Sequence, residues 1–274
     1  MGSRCDRPGD QSMTGRAALA DVDLLIGIDD TDNPYTPGTG RRARALLHEL
    51  RAAGLGSPAG ATRHQLLVDD RIPYTSHNSS ACLAWRSPDG DPHAARTGII
   101  ELAGRFLERV CPPDADPGLA VVVPGELAGA APRLIEFGRR AKREVLHPNE
   151  GRELAAAVGV HLSGHGGTRE GMTGALAAVG LHLSGNDGLF ITLPGIRELP
   201  DRATVETVFA TAPIDLVRDA MYRQPRSGEV IELGDWVRPV LLDGLAVLLL
   251  EPPRQQDNGG RTWRTAPRAV VKQY

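Results

Sequence analysis

The stretch Ile26-Gly27-Ile28-Asp29-Asp30-Thr31-Asp32 sets three carboxylates at the mouth of a short apolar run. Carboxylates this close repel one another and lose solvation, and a hard cation such as Mg²⁺ offsets both penalties. The plainer alternative is an acidic turn, since Asp favours turns and helix caps. Pro37-Gly38-Thr39-Gly40 follows and opens a helical pattern. Gly38 and Gly40 let backbone approach a ligand, N–H groups at a helix start attract phosphate, and Arg41, Arg42 and Arg44 add charge-assisted donors. The segment lacks the Gly-Lys-Ser/Thr of a P-loop, and a simple cap by Thr39 explains it equally well.

Two further segments carry polar chemistry. Tyr74, Thr75, Ser76, His77, Asn78 and Ser79 stand in a row between two strand-like runs, where they could orient a polar substrate or form a solvated hairpin loop. Gly164, His165, Gly166, Gly167, Thr168, Arg169, Glu170 and Gly171 lead into the small-residue run Met172 to Gly180. Successive amides before a helix can form an anion nest; a surface loop is the alternative. The chain has only two lysines, Lys142 and Lys272, so a phosphate clamp must rely on arginine, backbone N–H groups or a metal.

The elements that must position these residues follow from periodicity. Val22 to Ile28 reads as a buried strand feeding the loop 29–39. Ala43, Leu46, Leu47 and Leu50 recur at helical spacing, with Gly54 as the stop. Ala61 to Val68 and Ala81 to Trp85 read as strands, Pro92 to Val110 as an amphipathic helix, and Leu119 to Val123 as a strand. This β-α-β-β-α-β order is the split pattern of a ferredoxin-like layer. Beyond it, Ala131 to Val145, Asn149 to Val158 and Met172 to Leu183 read as helices and Leu189 to Leu193 as a strand, while Thr204 to Phe209 fits either state. From Gly228 the pattern turns to short β-like runs, EVIELGDWV, PVLLDGLAVLLLE and RTWRTAPRAVV. The division expected is a tail over 1–20, an α/β region over 21–125, a second over 126–225 with the glycine-rich loop, and a small β-rich extension over 226–274.

With 274 residues, 41% hydrophobic and 24% charged, the composition is that of a globular chain with a sizeable core. The longest apolar stretch, Leu245 to Leu250, is far short of the roughly 20 residues of a membrane helix. A net charge of -3 supplies no global field for avid nucleic-acid binding. Cys5, Cys82 and Cys111 are scattered, which excludes a zinc ribbon and speaks against a disulfide framework. The first 20 residues lack a signal-peptide core, so a cytoplasmic location is expected.

The motifs together resemble the archaeal tRNA-isoleucine 2-agmatinylcytidine synthetase (TiaS) family. GIDDTD, with a threonine seven residues after its last Asp, is similar to that family's GIDDTDS and the first Thr of its GMCTT segment, which places Thr39 on the family's phosphorylated threonine. IPYTSHNSS resembles IPxKTRGN, and Ala141-Lys142-Arg143-Glu144-Val145, the 164–171 loop and TGALAAVG match the family's A-K-x-x-V, glycine-rich loop and IGALAAIG in the same order. The matches run over roughly residues 23–195.

The resemblance implies an α+β fold, with a ferredoxin-like layer beside a TiaS-type kinase region that is neither P-loop nor protein kinase. It also implies use of ATP and Mg²⁺ to phosphorylate a carbonyl oxygen, which an amine then displaces to give an amidine-like product. Carried over, Asp29, Asp30 and Asp32 position Mg²⁺ and triphosphate, and Thr39 sits at phosphoryl transfer. Gly38, Gly40, Arg41, Lys142 and the 164–171 loop contact nucleotide, and residues 74–79 contact the acceptor. The family's C-terminal OB-fold and zinc ribbon, which grip tRNA, have no counterpart here. TPGTG stands for GMCTT, and Thr75 and His77 replace a Lys and an Arg, which speaks against an anionic polynucleotide. The expectation is therefore an enzyme acting on a small-molecule acceptor and an amine donor, with no membrane partner; a homodimer is compatible with it. The alternatives are a truncated tRNA-modifying enzyme and a noncatalytic nucleotide-binding relative.

Overall fold

The structure, a computed structural model, describes residues 22–72, 78–255 and 261–274. Strand β1 (Leu24–Asp29) leads through the acidic turn to helix α1 (Thr39–Ala52), followed by β2 (Ser57–Gln65), β3 (Ser79–Arg86), α2 (Pro92–Val110) and β4 (Gly118–Val122). Then come α3 (Ala131–Ala141), α4 (Pro148–Val158), β5 (His161–Gly164), α5 (Gly171–Leu183) and β6 (Leu189–Thr192). The chain continues through β7 (Arg202–Thr204), α6 (Val205–Thr211), β8 (Leu216–Asp219), β9 (Val230–Glu232), β10 (Val240–Leu242) and β11 (Leu245–Leu250). It finishes with β12 (Arg254–Gln255), β13 (Arg261–Arg264) and α7 (Arg268–Val271).

One sheet has nine strands in the order β5-β4-β1-β3-β2-β6-β10-β11-β8. Within it β4-β1-β3-β2 are antiparallel throughout, with Ile26 opposite both Leu83 and Val121, which is the ferredoxin-like arrangement expected from the element order. A second sheet runs β12-β13-β9-β7. The large sheet draws strands from all three composition segments: β10 and β11 lie between β6 and β8.

The alternation of β1 sorts the packing. Leu24, Ile26 and Ile28 join Leu46 and Leu50 of α1 and Ile99 and Phe106 of α2 on one face. Leu25 faces Leu134 of α3 and Leu176 and Val179 of α5 on the other. Fully burying each such side chain is worth about 1.5–3 kcal/mol. A third core, including Phe190, Leu248 and Trp263, joins the second sheet to the far half of the first. Helix α5 is buried on nearly every side, so it is apolar all round rather than striped. It lies so close to β1 that a Cβ on Gly27 would stand 2.0 Å from the Ala175 carbonyl oxygen.

Four local expectations change. Helix α3 stops at Ala141 rather than Val145, because the Leu67 N–H captures the Ala141 carbonyl at 3.1 Å, the acceptor that a further turn would use. Residues 161–164 form an edge strand on β4, although HLSG has no apolar run to announce it. Residues 204–209 contain both states, the end of β7 and then α6. The RAVV of the last β-like run is helical, started by Pro267, whose carbonyl accepts from Val270 and Val271. Among the described residues no helix is long and apolar enough to cross a membrane.

Candidate active site at the end of the first strand

The period of two that buries Ile28 against α1 and α2 turns Asp29 to the opposite face, toward α5. Asp29 is only 9% exposed. Asp30 then takes φ 50°, a left-handed conformation that Asp tolerates, and the chain crosses over the end of the sheet. Asp32 arrives on the α1 side. Its Oδ1 accepts the Thr39 N–H at 3.2 Å and the Thr39 hydroxyl at 2.9 Å, so the helix start is capped from outside its own segment. The buried Thr31 hydroxyl donates to Thr39 Oγ1 at 3.2 Å, which fixes that hydroxyl from two sides. The cap position itself belongs to Gly38, with Thr39 one residue inside the helix.

The turn therefore stands between two cavities. One, of about 330 Å³, is lined by Asp29, Arg71, Asn78, Glu170, Thr173 and Gly174 among others. The other, of about 140 Å³, is lined by Asp32, Gly38, Thr39, Gly40, Arg63 and Ser79 among others. Two buried hydroxyl oxygens on this site, Ser80 Oγ and Thr173 Oγ1, have no hydrogen-bond partner among the described residues.

The electrostatics are those of carboxylates short of counter-charge. Burial, then the adjacent Asp30 charge, push Asp29 up to about 8. Burial first, then Asp116, Asp32 and Glu170, push Asp30 up to about 6, against the hydrogen bond from the Asp116 N–H, which lowers it. Among the described residues no three His, Cys, Asp or Glu side chains converge as a ready metal cage. Mg²⁺ is usually held by one or two carboxylates together with water and substrate phosphates. Of the three expected ligands Asp29 alone opens onto the larger cavity, with Asp30 beside it, while Asp32 lines the smaller one.

The glycine-rich loop reaches the same place. Asp116, just before β4, accepts the Thr168 N–H at 2.7 Å and gives its own N–H to Asp30 Oδ2 at 3.2 Å. A Cβ on Gly167 would stand 1.8 Å from Asp116 Oδ1, and one on Gly171 would stand 3.0 Å from the Asp30 Cβ. The loop is thus pinned against the acidic turn, and its Glu170 lines the Asp29 cavity.

The other expected residues divide between the cavities and places away from them. Lys142 pairs with Asp187, and His165 lies 3.0 Å from Glu108 and packs over Gly104 of α2. The Arg169 side chain folds over Gly164, which leaves Gly164 and Gly166 packed against neighbouring chain. Gly38 and Arg41 are exposed beside Thr39. Asn78 lines the larger cavity and donates to the Leu67 carbonyl at 2.7 Å, while Ser79 lines the smaller one. Tyr74, Thr75, Ser76 and His77 lie outside the described residues.

Three site residues are not singled out by the sequence. Arg63 lines the Thr39 cavity, its Nε donates to Ser79 Oγ at 2.9 Å, and burial holds its guanidinium below the usual arginine range. The run Thr62-Arg63-His64-Gln65 is polar and gives no local signal that sets Arg63 apart. Asp116 carries no motif, and Thr173 opens TGALAAVG with nothing local to mark its hydroxyl as facing a cavity. Tertiary packing brings both to the site.

Fold and site together define an α+β protein with a ferredoxin-like sheet half, a central small-residue helix and an acidic turn between two cavities. No family model and no curated protein matches the chain. Among solved structures it is similar to the complex of TiaS with an isoleucine tRNA and ATP, with 22% identity over 58% of this chain and 36% of that one and a TM-score of 0.49. It is likewise similar to apo TiaS, an agmatidine synthetase for that tRNA, with 23% identity over 57% and 35% and a TM-score of 0.47. The complex of TiaS with the tRNA, AMPCPP and agmatine matches with 19% identity over 69% and 44% and a TM-score of 0.47. The matched part spans less than half the length of these proteins.

Proposed function

We propose that this chain is an ATP- and Mg²⁺-dependent enzyme that activates a carbonyl oxygen of an amide, lactam or nucleobase by phosphoryl transfer, for displacement by an amine. The acceptor is a small molecule. The observation that carries this reading is Asp29: buried, opposed by the neighbouring Asp30 charge, and open to a cavity that Glu170 of the glycine loop also lines. The GIDDTD and GALAAVG resemblance supports it independently.

Bound Mg²⁺ would neutralise triphosphate charge and offset the repulsion between Asp29 and Asp30. The unpartnered Thr173 hydroxyl faces the same cavity as a donor for phosphate oxygen. Across the turn, Asp32 holds the Thr39 hydroxyl and can take its proton if that oxygen receives a phosphoryl group. Arg63 supplies fixed positive charge to the same cavity. In the overall reaction the acceptor carbonyl oxygen forms a bond to phosphorus as the bond to the nucleotide leaving group breaks. The amine nitrogen then bonds to the carbonyl carbon and loses a proton, and phosphate departs with the former carbonyl oxygen.

Isotope tracing tests this. With ¹⁸O in the acceptor carbonyl, label is expected in the released phosphate, and unlabelled phosphate would reject activation at that oxygen. A thermal-shift comparison of ATP with and without Mg²⁺ tests the nucleotide site separately, because binding to the native state raises apparent stability by mass action.

A further inference from the structure

Nearly all positive charge in this chain is arginine, and part of it is paired with acids: Arg109 with Glu49, Arg140 with Glu144 and Glu150, and Arg264 with Glu232. Four other arginines gather in one place. Arg44 lies on α1, Arg197 follows β6, Arg238 leads into β10 and Arg268 opens α7. These elements meet because β6 neighbours β10 and lies under the start of α1, where a Cβ on Gly40 would contact Ile191 at 3.6 Å. Among the described residues none of the four forms an ion pair. Arg238 Nη1 donates only to the carbonyl of Val237, at 3.0 Å.

Trp236 organises two of them. The Arg268 and Arg238 guanidinium carbons lie 5.1 Å and 5.7 Å from its ring centroid. Stacking holds a guanidinium by its face and leaves its edge, where the hydrogen-bond donors are, for a partner. Burial first, then Arg197 and Arg41, hold Arg44 below the usual arginine range; burial, then Arg44, Arg197 and Arg268, do the same to Arg238. Arg44 and Arg238 are partly buried and Arg197 and Arg268 exposed; like charges at the first two oppose the fold, and an anion among them reverses that.

The group has a position and a limit. From Thr39 to Arg44 is five residues, a rise of about 7.5 Å along the helix. Trp236 and Arg268 also line a cavity of mixed charge, where Asp201, Glu232 and Asp235 stand with Arg202 and Arg264, so the unbalanced positive surface ends there. A long polyanion following this face would run into carboxylates, whereas a compact phosphate-bearing molecule would not.

We infer that Arg44, Arg197, Arg238 and Arg268, with Trp236 stacked against the last two, bind the phosphate of a small nucleotide-like acceptor whose carbonyl reaches Thr39. This rests on the function proposed above and adds to it that the acceptor is phosphorylated.

The test is titration calorimetry of the full chain, without Mg²⁺, using uridine 5′-monophosphate, uridine and a short single-stranded RNA. The monophosphate is expected to bind the wild type and Asp29→Asn alike, and uridine at least about tenfold more weakly. Arg44→Gln and Arg238→Gln are each expected to lose about tenfold or more for the monophosphate while melting at or above the wild-type temperature, since neutralisation relieves repulsion. Unchanged affinity in both arginine variants, or no monophosphate binding by the wild type, overturns the site. Short RNA binding about tenfold tighter than the monophosphate, with a steep salt dependence, overturns the small acceptor in favour of a polynucleotide. The Mg²⁺-ATP thermal shift is read in parallel: its absence in the wild type counts against the proposed function, whereas its persistence in the arginine variants shows that they fold.

Discussion

Gly174 makes room for the Asp29 carboxylate: a Cβ at position 174 would lie 1.7 Å from Asp29 Oδ2. The small residue in the first turn of α5 and the acid at the end of β1 are therefore one device, in which absence of a side chain on the helix lets a charged group sit against it. Gly174→Ala is expected to cost about 1–3 kcal/mol of stability through overpacking. It should also abolish the Mg²⁺-ATP thermal shift. In an Asp29→Ala background the same substitution should cost much less, and denaturant midpoints of the four proteins of this double-mutant cycle measure the coupling. Equal costs in the two backgrounds would show that the two positions do not touch.

Asp29→Asn keeps the shape and replaces an acid whose ionised form burial and Asp30 both oppose. The ligand-free variant is expected to be more stable than the wild type, on the order of 1 kcal/mol, while ATP-dependent turnover is lost. A urea midpoint and an ATP consumption assay read the two effects; lower stability would mean that the carboxylate is structural.

Thr39 lies one residue inside α1, and its hydroxyl is held by Asp32 and Thr31. Thr39→Ala should remove phosphoryl transfer with a stability loss of about 1 kcal/mol or less. Thr39→Ser keeps the oxygen and should retain part of the activity. Full activity in Thr39→Ala would take this hydroxyl out of the reaction.

Stability in acid is expected to depend on a buried chain of polar groups on the α5 side of the sheet. Thr62 Oγ1 lies 2.8 Å from both His64 Nε2 and His182 Nδ1, and His64 Nδ1 lies 2.9 Å from Asp187 Oδ1. Burial, then His64, lower His182 to about 3, and burial lowers His64 as well. Both rings are thus neutral in the fold, while the unfolded chain takes up their protons near the ordinary histidine value of 6.5. The unfolded state binds more protons between those values, so stability is full above about 6.5 and falls as pH drops toward about 3. Urea midpoints from pH 4 to 8 measure the slope, and His182→Gln should flatten it. An equal slope in the variant would place the acid sensitivity elsewhere.

Arg63→Gln tests the smaller cavity. Removing its charge while keeping a donor for Ser79 should raise KM for the acceptor more than it lowers kcat, and should leave the Mg²⁺-ATP thermal shift in place. An equal fall in kcat and kcat/KM would instead assign Arg63 to transition-state stabilisation.

The sequence by itself determined what short-range physics controls. Apolar runs and amphipathic runs of period 3.6 marked β1, β3, β4, α1 and α2, the small-residue run marked α5, and β2 came at Ser57–Gln65 rather than 61–68. Their order matched a ferredoxin-like pattern, while the β4-β1-β3-β2 pairing came from the structure. The acidic turn, Thr39 and the glycine-rich loop stood out in the sequence as candidates, each beside a plainer reading as a turn, a helix cap or a surface loop. The tertiary structure alone decided which groups meet. It assigned Asp29 and Asp32 to opposite sides of the sheet, tied the loop to Asp30 through Asp116, and gave Lys142 to Asp187. It also gathered Arg44, Arg197, Arg238 and Arg268 from four elements far apart in the chain. Local patterns set the state of a segment through its own few residues, whereas the company of a side chain depends on strand order and helix placement, which only the packed core fixes.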